Sequence, residues 1–293
     1  MQRHQGAEMF EHATIDPKLL HHWIHSQVAL GLGQAMVVSA LALGVAWLGH
    51  LRKLELGRET AAALVRGLLQ MLAIGLVLVW LLKGAAWWSV PALATMCAVA
   101  AGMTQRRLNP RLKPGSKAGL ESGAKPVANS YWLCLRAIGT GSAVVIATMA
   151  LTRVIAFKAT ALVPLGSMII ANSMNTCAQV LERYASDLKL NAGRVEAALA
   201  LGASSTVAAL PYARNATNAA LIPSLNSLRS LGIVWIPGFA AGMLLTGSDP
   251  VYTAIYQFMV IAMIYAASGV TALVAASGYE RAAFVEERLV VAR

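Results

Sequence analysis

Long apolar runs separated by short polar segments dominate the pattern along this chain. Most of these runs are long enough to cross about 30 Å of hydrocarbon as a helix. They cover residues 28–48, 61–82, 86–103, 137–157, 161–181, 219–246 and 251–278. The pattern therefore predicts an all-α, polytopic integral membrane protein with about seven transmembrane helices.

Composition supports a membrane protein and weakens a nucleic-acid-binding one. Only 13% of the 293 residues are charged and the mean hydropathy is +0.60, whereas about 25% charged residues is usual in soluble domains. The net charge of +11 comes from basic residues that lie mainly between the apolar runs. Such a distribution is typical of the cytoplasmic face of a membrane protein.

The basic residues also predict the orientation of the chain. Residues 51–60, 105–136, 182–218 and the C-terminal tail hold most of them, while the loops 83–85, 158–160 and 247–250 hold few. The first group is therefore expected in the cytoplasm. Seven spans then place the N-terminus outside and the C-terminus inside, in the cell inner (plasma) membrane.

Three regions follow from this pattern. Residues 28–278 form the predicted transmembrane domain, and 279–293 form a cytoplasmic tail expected to end as a solvated helix. Residues 1–27 form a histidine-rich extension without an apolar signal-peptide core. Its histidines could bind a metal ion, but they lack a recognised ligand spacing, which favours an amphipathic lead-in helix. They are His4, His12, His21, His22 and His25.

The polar insert at residues 182–218 predicts a helix, a turn and a second helix. Asn191 is a candidate N-cap of the first helix, and Gly202 is expected to end it. Ser204 and Ser205 can cap the helix that follows. An ordinary amphipathic helix between two spans is the alternative to a docking element.

Some polar side chains lie inside the apolar runs. Met168, Asn172, Asn175 and Gln179 follow helical spacing and share one face. Amides in a bilayer must face protein or water, so this face either lines a pathway or joins helices. Arg66 and Gln70, four residues apart, suggest either helix packing or contact with a substrate, and Pro237 with Gly238 predicts a break in the sixth span.

Several catalytic classes lack their residues here. The chain contains no phosphate-binding loop of the G-x-x-x-x-G-K-[ST] type, and its glycines near 115–123 are not followed by the required lysine. No Ser/His/Asp constellation appears. Acidic residues are scarce within the spans, which argues against a proton-coupled carrier. The chain is therefore not expected to be an enzyme or to bind a cofactor.

The first helix of the insert resembles the EAA signature of ABC-transporter permeases. In those permeases this signature forms a cytoplasmic coupling helix that docks in a cleft of the ATPase subunit. The present pattern departs from the usual one beyond its glycine, because Pro211 comes early. The resemblance implies the following coupling residues: Arg194, Glu196, Ala197, Ala198 and Gly202.

A longer segment, residues 221–257, resembles the Fet-type ABC transporter permease family, typified by a bacterial iron-export system, whose plant relatives act in aluminium tolerance. The similar parts are Leu221-Ile222-Pro223 with Asn226-Ser227, the Pro237-Gly238 break, Gly242, Gly247-x-Asp249-Pro250 and Tyr256-Gln257. MIIANSMN, residues 168–175, and the Arg-x-x-x-Gln pair also resemble this family.

This resemblance implies a homodimeric permease in the lipid bilayer that pairs with a cytosolic ATPase, which would bind ATP and magnesium. Iron export is the implied reaction, and a sugar nucleotide is an alternative substrate. A secondary carrier, a channel or a membrane scaffold are the alternatives from other classes. Metal ligands are not identified, and the candidate pathway residues are Met168, Asn172, Asn175, Gln179, Asn226, Arg66 and Gln70.

Overall fold

The computed structural model describes residues 33–48, 56–83, 86–108, 130–152, 159–285 and 288–289. Two compact units divide the chain, Met1–Trp80 and Leu81–Arg293. The described elements are α1 (Gly33–Leu48), α2 (Leu56–Lys83), a 3₁₀ turn (Ala86–Trp88), α3 (Ser89–Leu108), α4 (Ser130–Leu151), α5 (Ala159–Leu190), α6 (Ala192–Ala200), α7 (Ser205–Ser230), α8 (Gly238–Leu245), α9 (Pro250–Ala283), β1 (Phe284–Val285) and β2 (Arg288–Leu289). The histidine-rich extension lies outside the described residues.

The first unit contains α1 and most of α2. Both helices fall where apolar runs predict them, although α2 begins before the predicted residue 61. Most of their described apolar side chains are exposed; Val45, for example, is 70% exposed. Such a surface suits hydrocarbon better than water.

The second unit is built around α9. This helix packs against α4, α5, α7 and α8, while α3 packs against α4 and α5. Small residues bring the axes close. A Cβ atom on Gly141 of α4 would collide with the Thr271 side chain and would lie 2.8 Å from the Ala267 carbonyl oxygen of α9. Close approach through small residues is typical of helices that associate within a membrane.

The all-α prediction is confirmed, and among the described residues only a four-residue hairpin departs from it. β1 and β2 pair antiparallel, with Phe284 opposite Leu289 and Val285 opposite Arg288. Tyr279, Ala283 and Phe284 are buried in the main core. α9 continues to Ala283, so the first residues of the tail are helical and partly buried. Arg288 lies in β2 and not in a helix, whereas the solvated helix end expected at Glu286 and Glu287 falls outside the described residues and stays a prediction.

The predicted break in the sixth span is real but longer than expected. α7 runs unbroken across the predicted boundary at 218/219, through Pro211 and Pro223, and ends at Ser230. Residues 231–237 are then non-helical, with the Gly232 amide donating to the Trp235 carbonyl over 3.0 Å. Pro237 stands at the N-cap of α8, where its missing N–H leaves no donor unsatisfied.

Two described helices are long and apolar enough to cross a membrane, Ser130–Leu151 and Pro250–Ala283. Gly33–Leu48 and Ala62–Gly75 are shorter apolar helices. The amides of α5 lower its mean hydropathy, and α5 also extends past the predicted end at residue 181, to Leu190. The chain is polytopic, and the number of seven spans stays a prediction. Part of the basic loop predicted at 105–136 is helical, because α3 ends at Leu108 and α4 begins at Ser130.

Candidate coupling surface and transport pathway

The predicted helix of the insert is α6, and its first turn differs in detail from the expectation. Asn191 occupies the N-cap position but makes no side-chain cap. Its Nδ2 atom instead donates to the Asp187 carbonyl oxygen, 2.9 Å away. Asn191 thus stands at the predicted N-cap position, but its side chain does not cap α6. The amide bonds back to the end of α5 and fastens the short turn between the two helices.

The end of α6 forms a two-bond turn around Gly202. The Gly202 amide donates to the Leu199 carbonyl and the Ala203 amide to the Ala198 carbonyl, both over 3.0 Å. This pattern is the Schellman motif, which satisfies the last carbonyls of a helix and requires a left-handed residue. Gly202 supplies it with φ of +88°. The prediction that this glycine ends the helix is confirmed.

The next helix begins with a side-chain cap, as the sequence indicates. The Ser204 hydroxyl accepts from the Val207 amide at 3.4 Å, and α7 starts at Ser205. Only three residues, Leu201, Gly202 and Ala203, separate the end of α6 from this cap. The connection between α6 and α7 is therefore short and hydrogen-bonded on both sides.

One side of α6 is anchored and the other is free. Val195 is 1% exposed and belongs to the main core, and burying such a side chain contributes about 1.5–3 kcal/mol. Arg194, Glu196 and Ala197 are exposed, whereas Ala198 packs partly against the core. The free face of α6 is thus narrower than the signature suggested, because Ala198 belongs to the anchored side.

The tail also supports α6. Strand β2 contacts α6, as do α5 and α7. The ring centroids of Tyr184 on α5 and Tyr279 on α9 lie 5.1 Å apart. Burial raises the pKa of Tyr184, and the nearby Glu280 and Tyr279 add to this shift, so the phenol stays neutral. This tilted ring pair joins the polar end of α5 to the end of α9.

The predicted stripe on α5 is only partly covered by the core. Asn175 and Gln179 are exposed, whereas Met168 and Asn172 are half-buried and Met168 packs against a buried cluster. The Asn172 Nδ2 atom donates to the Met168 carbonyl oxygen over 2.9 Å. Within the described part of the second unit, only the end of the stripe at Asn175 and Gln179 is therefore uncovered, and the role of the stripe in transport stays a prediction.

The remaining candidate residues are placed as follows. Asn226 is exposed on α7, and Arg66 and Gln70 are exposed on α2 in the first unit. Whether Arg66 and Gln70 serve helix packing or contact a substrate stays a prediction. Pro237 is buried and Gly238 begins α8.

A buried amide on α9 was missed as a candidate site. Gln257 is 4% exposed, and neither of its amide atoms has a hydrogen-bond partner among the described residues. Thr253, one turn earlier, is also buried with an unpartnered hydroxyl in the described part of the chain. In the sequence, the signal for this site was a single glutamine within the apolar run 251–278. Buried polar groups without partners are costly, so they mark candidate functional positions.

No cluster of three or more His, Cys, Asp or Glu side chains that could hold a metal ion occurs within the ranges that the structure describes. Cys134 and Cys177 are buried, and Cys97 is partly buried. The groups available along α5 are instead amides and thioethers.

Comparison with known proteins establishes the family. The model of the family described as "Uncharacterised protein family (UPF0014)" matches residues 32–284 of the 293. The chain belongs to this family. The match spans α1 to the start of β1, so it includes α6, the α5 stripe and the buried amide on α9.

Curated relatives within UPF0014 come from bacteria and plants. A UPF0014 membrane protein of Synechocystis is 31% identical over 204 residues, covering 68% of this chain and 73% of the relative. The "Probable iron export permease protein FetB" of Escherichia coli is 25% identical, covering 84% and 88%. "Protein ALUMINUM SENSITIVE 3" of Arabidopsis thaliana is 27% identical, covering 82% and 81%. No solved structure matches the chain.

Proposed function

We propose that this UPF0014 protein is the membrane-spanning subunit of an ABC transporter, that it works as a homodimer, and that two copies of a separate cytosolic ATPase drive it. The observation that carries the proposal is the geometry of α6. It is a short helix, anchored by Val195 and stopped by a Schellman turn, that presents Arg194, Glu196 and Ala197 to solvent. A docking helix needs this combination of a rigid base and a small, polar outer face.

The mechanism follows from how α6 is attached. ATP binding would close the ATPase pair around α6, and the closing movement would pull α6 relative to the membrane. Because α6 contacts α5 and α7 and joins α7 through only four residues, 201–204, its displacement would move both helices. Two states of the helix bundle, open to opposite sides, would then exchange as ATP is bound and hydrolysed.

The uncovered face of α5 supports a homodimer. Asn175 and Gln179 are exposed in a single chain, yet amides within a bilayer must face protein or water. A second copy would close this face and enclose a polar pathway lined from both chains. Met168 and Asn172 would lie at the edges of that pathway.

Iron export is the proposed reaction, by analogy with the name of the Escherichia coli relative. Thioether and amide groups bind metals only weakly, so the pathway would pass a metal ion through weak, successive contacts. One observation favours a second substrate class: amides donate and accept hydrogen bonds, which also suits the hydroxyls of a sugar nucleotide.

Co-purification with the candidate ATPase tests the proposal. The wild-type pair is expected to form a stable complex whose ATP hydrolysis in lipid is stimulated by iron, by aluminium or by a sugar nucleotide. Replacing Ala197 with tryptophan should block docking and abolish stimulation, while Arg107→Glu, an exposed change at the end of α3, serves as a control on the same predicted face. Failure of the wild-type chain to form any complex would favour the carrier or channel.

A further inference from the structure

A cavity of about 680 Å³ lies between the first turns of α4 and the last turns of α9, entirely within the second unit. Trp132, Leu133 and Arg136 line it from α4, and Val274 and Arg281 line it from α9. None of the residues that carry the proposed transport function takes part in it. The cavity combines an apolar wall, an indole and two guanidinium groups.

The position of the cavity along the helices places it at a membrane boundary. α4 and α9 are the two described helices long and apolar enough to cross a bilayer, and the cavity sits where α4 begins and α9 ends. Trp132 is 58% exposed there, as expected of an indole in the interfacial belt. The cavity therefore opens at the level where phospholipid headgroups lie.

The close packing of α4 and α9 shapes this cavity. A Cβ atom on Gly278 would lie 3.3 Å from Cγ of Leu133, so the two helices touch at this point. The Ser277 hydroxyl donates to the Val274 carbonyl oxygen over 3.1 Å, which leaves it as an acceptor only. The donors that a bound group would meet are thus those of the two arginines and the indole.

Both arginines are available for an anion. Arg136 and Arg281 are exposed, and neither has a carboxylate within ion-pair distance among the residues the structure describes. Guanidinium groups bind phosphate oxygens through paired, charge-assisted hydrogen bonds. Two such groups beside an apolar wall match an anion that carries hydrocarbon chains better than a freely soluble one.

We propose that this cavity binds the phosphate headgroup of an anionic phospholipid, with Arg136 and Arg281 on the phosphate and the Trp132 and Leu133 side chains against the glycerol and upper acyl chain. Basic pockets between membrane helices on the cytoplasmic side bind acidic headgroups in this manner. The proposal requires only that the chain lies in a bilayer and does not depend on the transported substrate.

Lipid binding to the full-length chain, purified in detergent, tests this site. Adducts counted by native mass spectrometry are expected to form with phosphatidylglycerol and to be far fewer with phosphatidylcholine. The double variant Arg136→Gln/Arg281→Gln should bind phosphatidylglycerol roughly 10- to 30-fold more weakly, at about 1 kcal/mol for each basic residue near the surface. Arg107→Gln, outside the cavity, should bind it like wild type.

Two further measurements separate the outcomes. The conservative variant Arg136→Lys/Arg281→Lys keeps both charges and should retain part of the binding. It serves as a control for binding that is lost because the glutamine variant misfolds. Inorganic phosphate should not displace the lipid. Equal binding by all variants, equal binding of both lipids, or displacement by inorganic phosphate at comparable concentration would each overturn the assignment.

Discussion

Replacing Gly202 with alanine tests the turn that ends α6 without adding any steric clash. No heavy atom lies within 4 Å of the position that a Cβ atom would occupy there. The cost is therefore conformational and comes from φ of +88°. Gly193, in the first turn of α6, offers a matched control: a Cβ atom there also meets open space, but its φ lies outside the left-handed region.

The two alanine substitutions are expected to change the stability of α6 and its turn in opposite directions. An L-residue in the left-handed conformation costs about 1–2 kcal/mol, and the lower entropy of the unfolded alanine chain offsets about 0.4–1 kcal/mol of this. Gly202→Ala should therefore weaken the turn by about 1 kcal/mol, or roughly fivefold in its opening equilibrium. Gly193→Ala should leave α6 unchanged or stabilise it by up to about 1 kcal/mol.

Hydrogen exchange at single-residue resolution measures this difference. The amides of residue 202 and Ala203, which donate to Leu199 and Ala198, should exchange roughly fivefold faster in Gly202→Ala. The same amides should be unchanged or slower in Gly193→Ala. Amides in the middle of α9 provide an internal reference, because a local change at α6 should not affect them.

The functional assay uses a larger side chain at the same position. Gly202→Trp is expected to insert normally into the membrane but to separate ATP hydrolysis by the partner from transport, since the turn can no longer hold α6 on α7. Identical exchange rates in the two alanine variants would refute the role given to the left-handed turn. A normal transport rate in Gly202→Trp would count against α6 as the coupling helix.

Three other changes probe the second unit. Gly141→Ala should destabilise the protein by about 1–3 kcal/mol through overpacking against α9, whereas Gly139→Ala, which meets open space, should not; thermal unfolding in detergent compares them, and equal melting temperatures would contradict the observed helix contact. Gln257→Leu should raise stability by about 1–3 kcal/mol, because it removes a buried unpartnered amide, yet slow transport in proteoliposomes; loss of stability would show that the amide has a partner. Asn175→Leu should preserve the melting temperature and lower the transport rate, and an unchanged rate would exclude this residue from the pathway.

The chain's own pattern determined the membrane class and most element positions, because hydrophobic length and helical spacing are local properties. The turn at Gly202 and the cap at Ser204 were predictable for the same reason. Each depends on the preferences of one or two residues, and neighbouring helices do not alter those preferences. The first helix predicted in the polar insert is likewise real and corresponds to α6.

Other features depended on which side chains meet across helices. Asn191 bonds to Asp187 because α5 continues past residue 181 and brings that carbonyl within reach. The start of the tail is packed because Tyr279 and Phe284 are buried in a core that only the folded chain forms. Likewise, only the folded chain shows that Ala198 faces inward.

Spacing alone placed the amides of α5 on one face but could not say whether that face is covered. Whether a helix face is covered depends on contacts between residues far apart in the chain, and the local sequence does not reveal such contacts. The same reason explains Gln257, whose burial without a partner arises from the packing of α9 among its neighbours. It also explains the cavity between α4 and α9, where Arg136 and Arg281 come together although well over one hundred residues separate them. The sequence therefore determined the elements and their turns, and the tertiary structure decided which faces are covered and which polar groups meet.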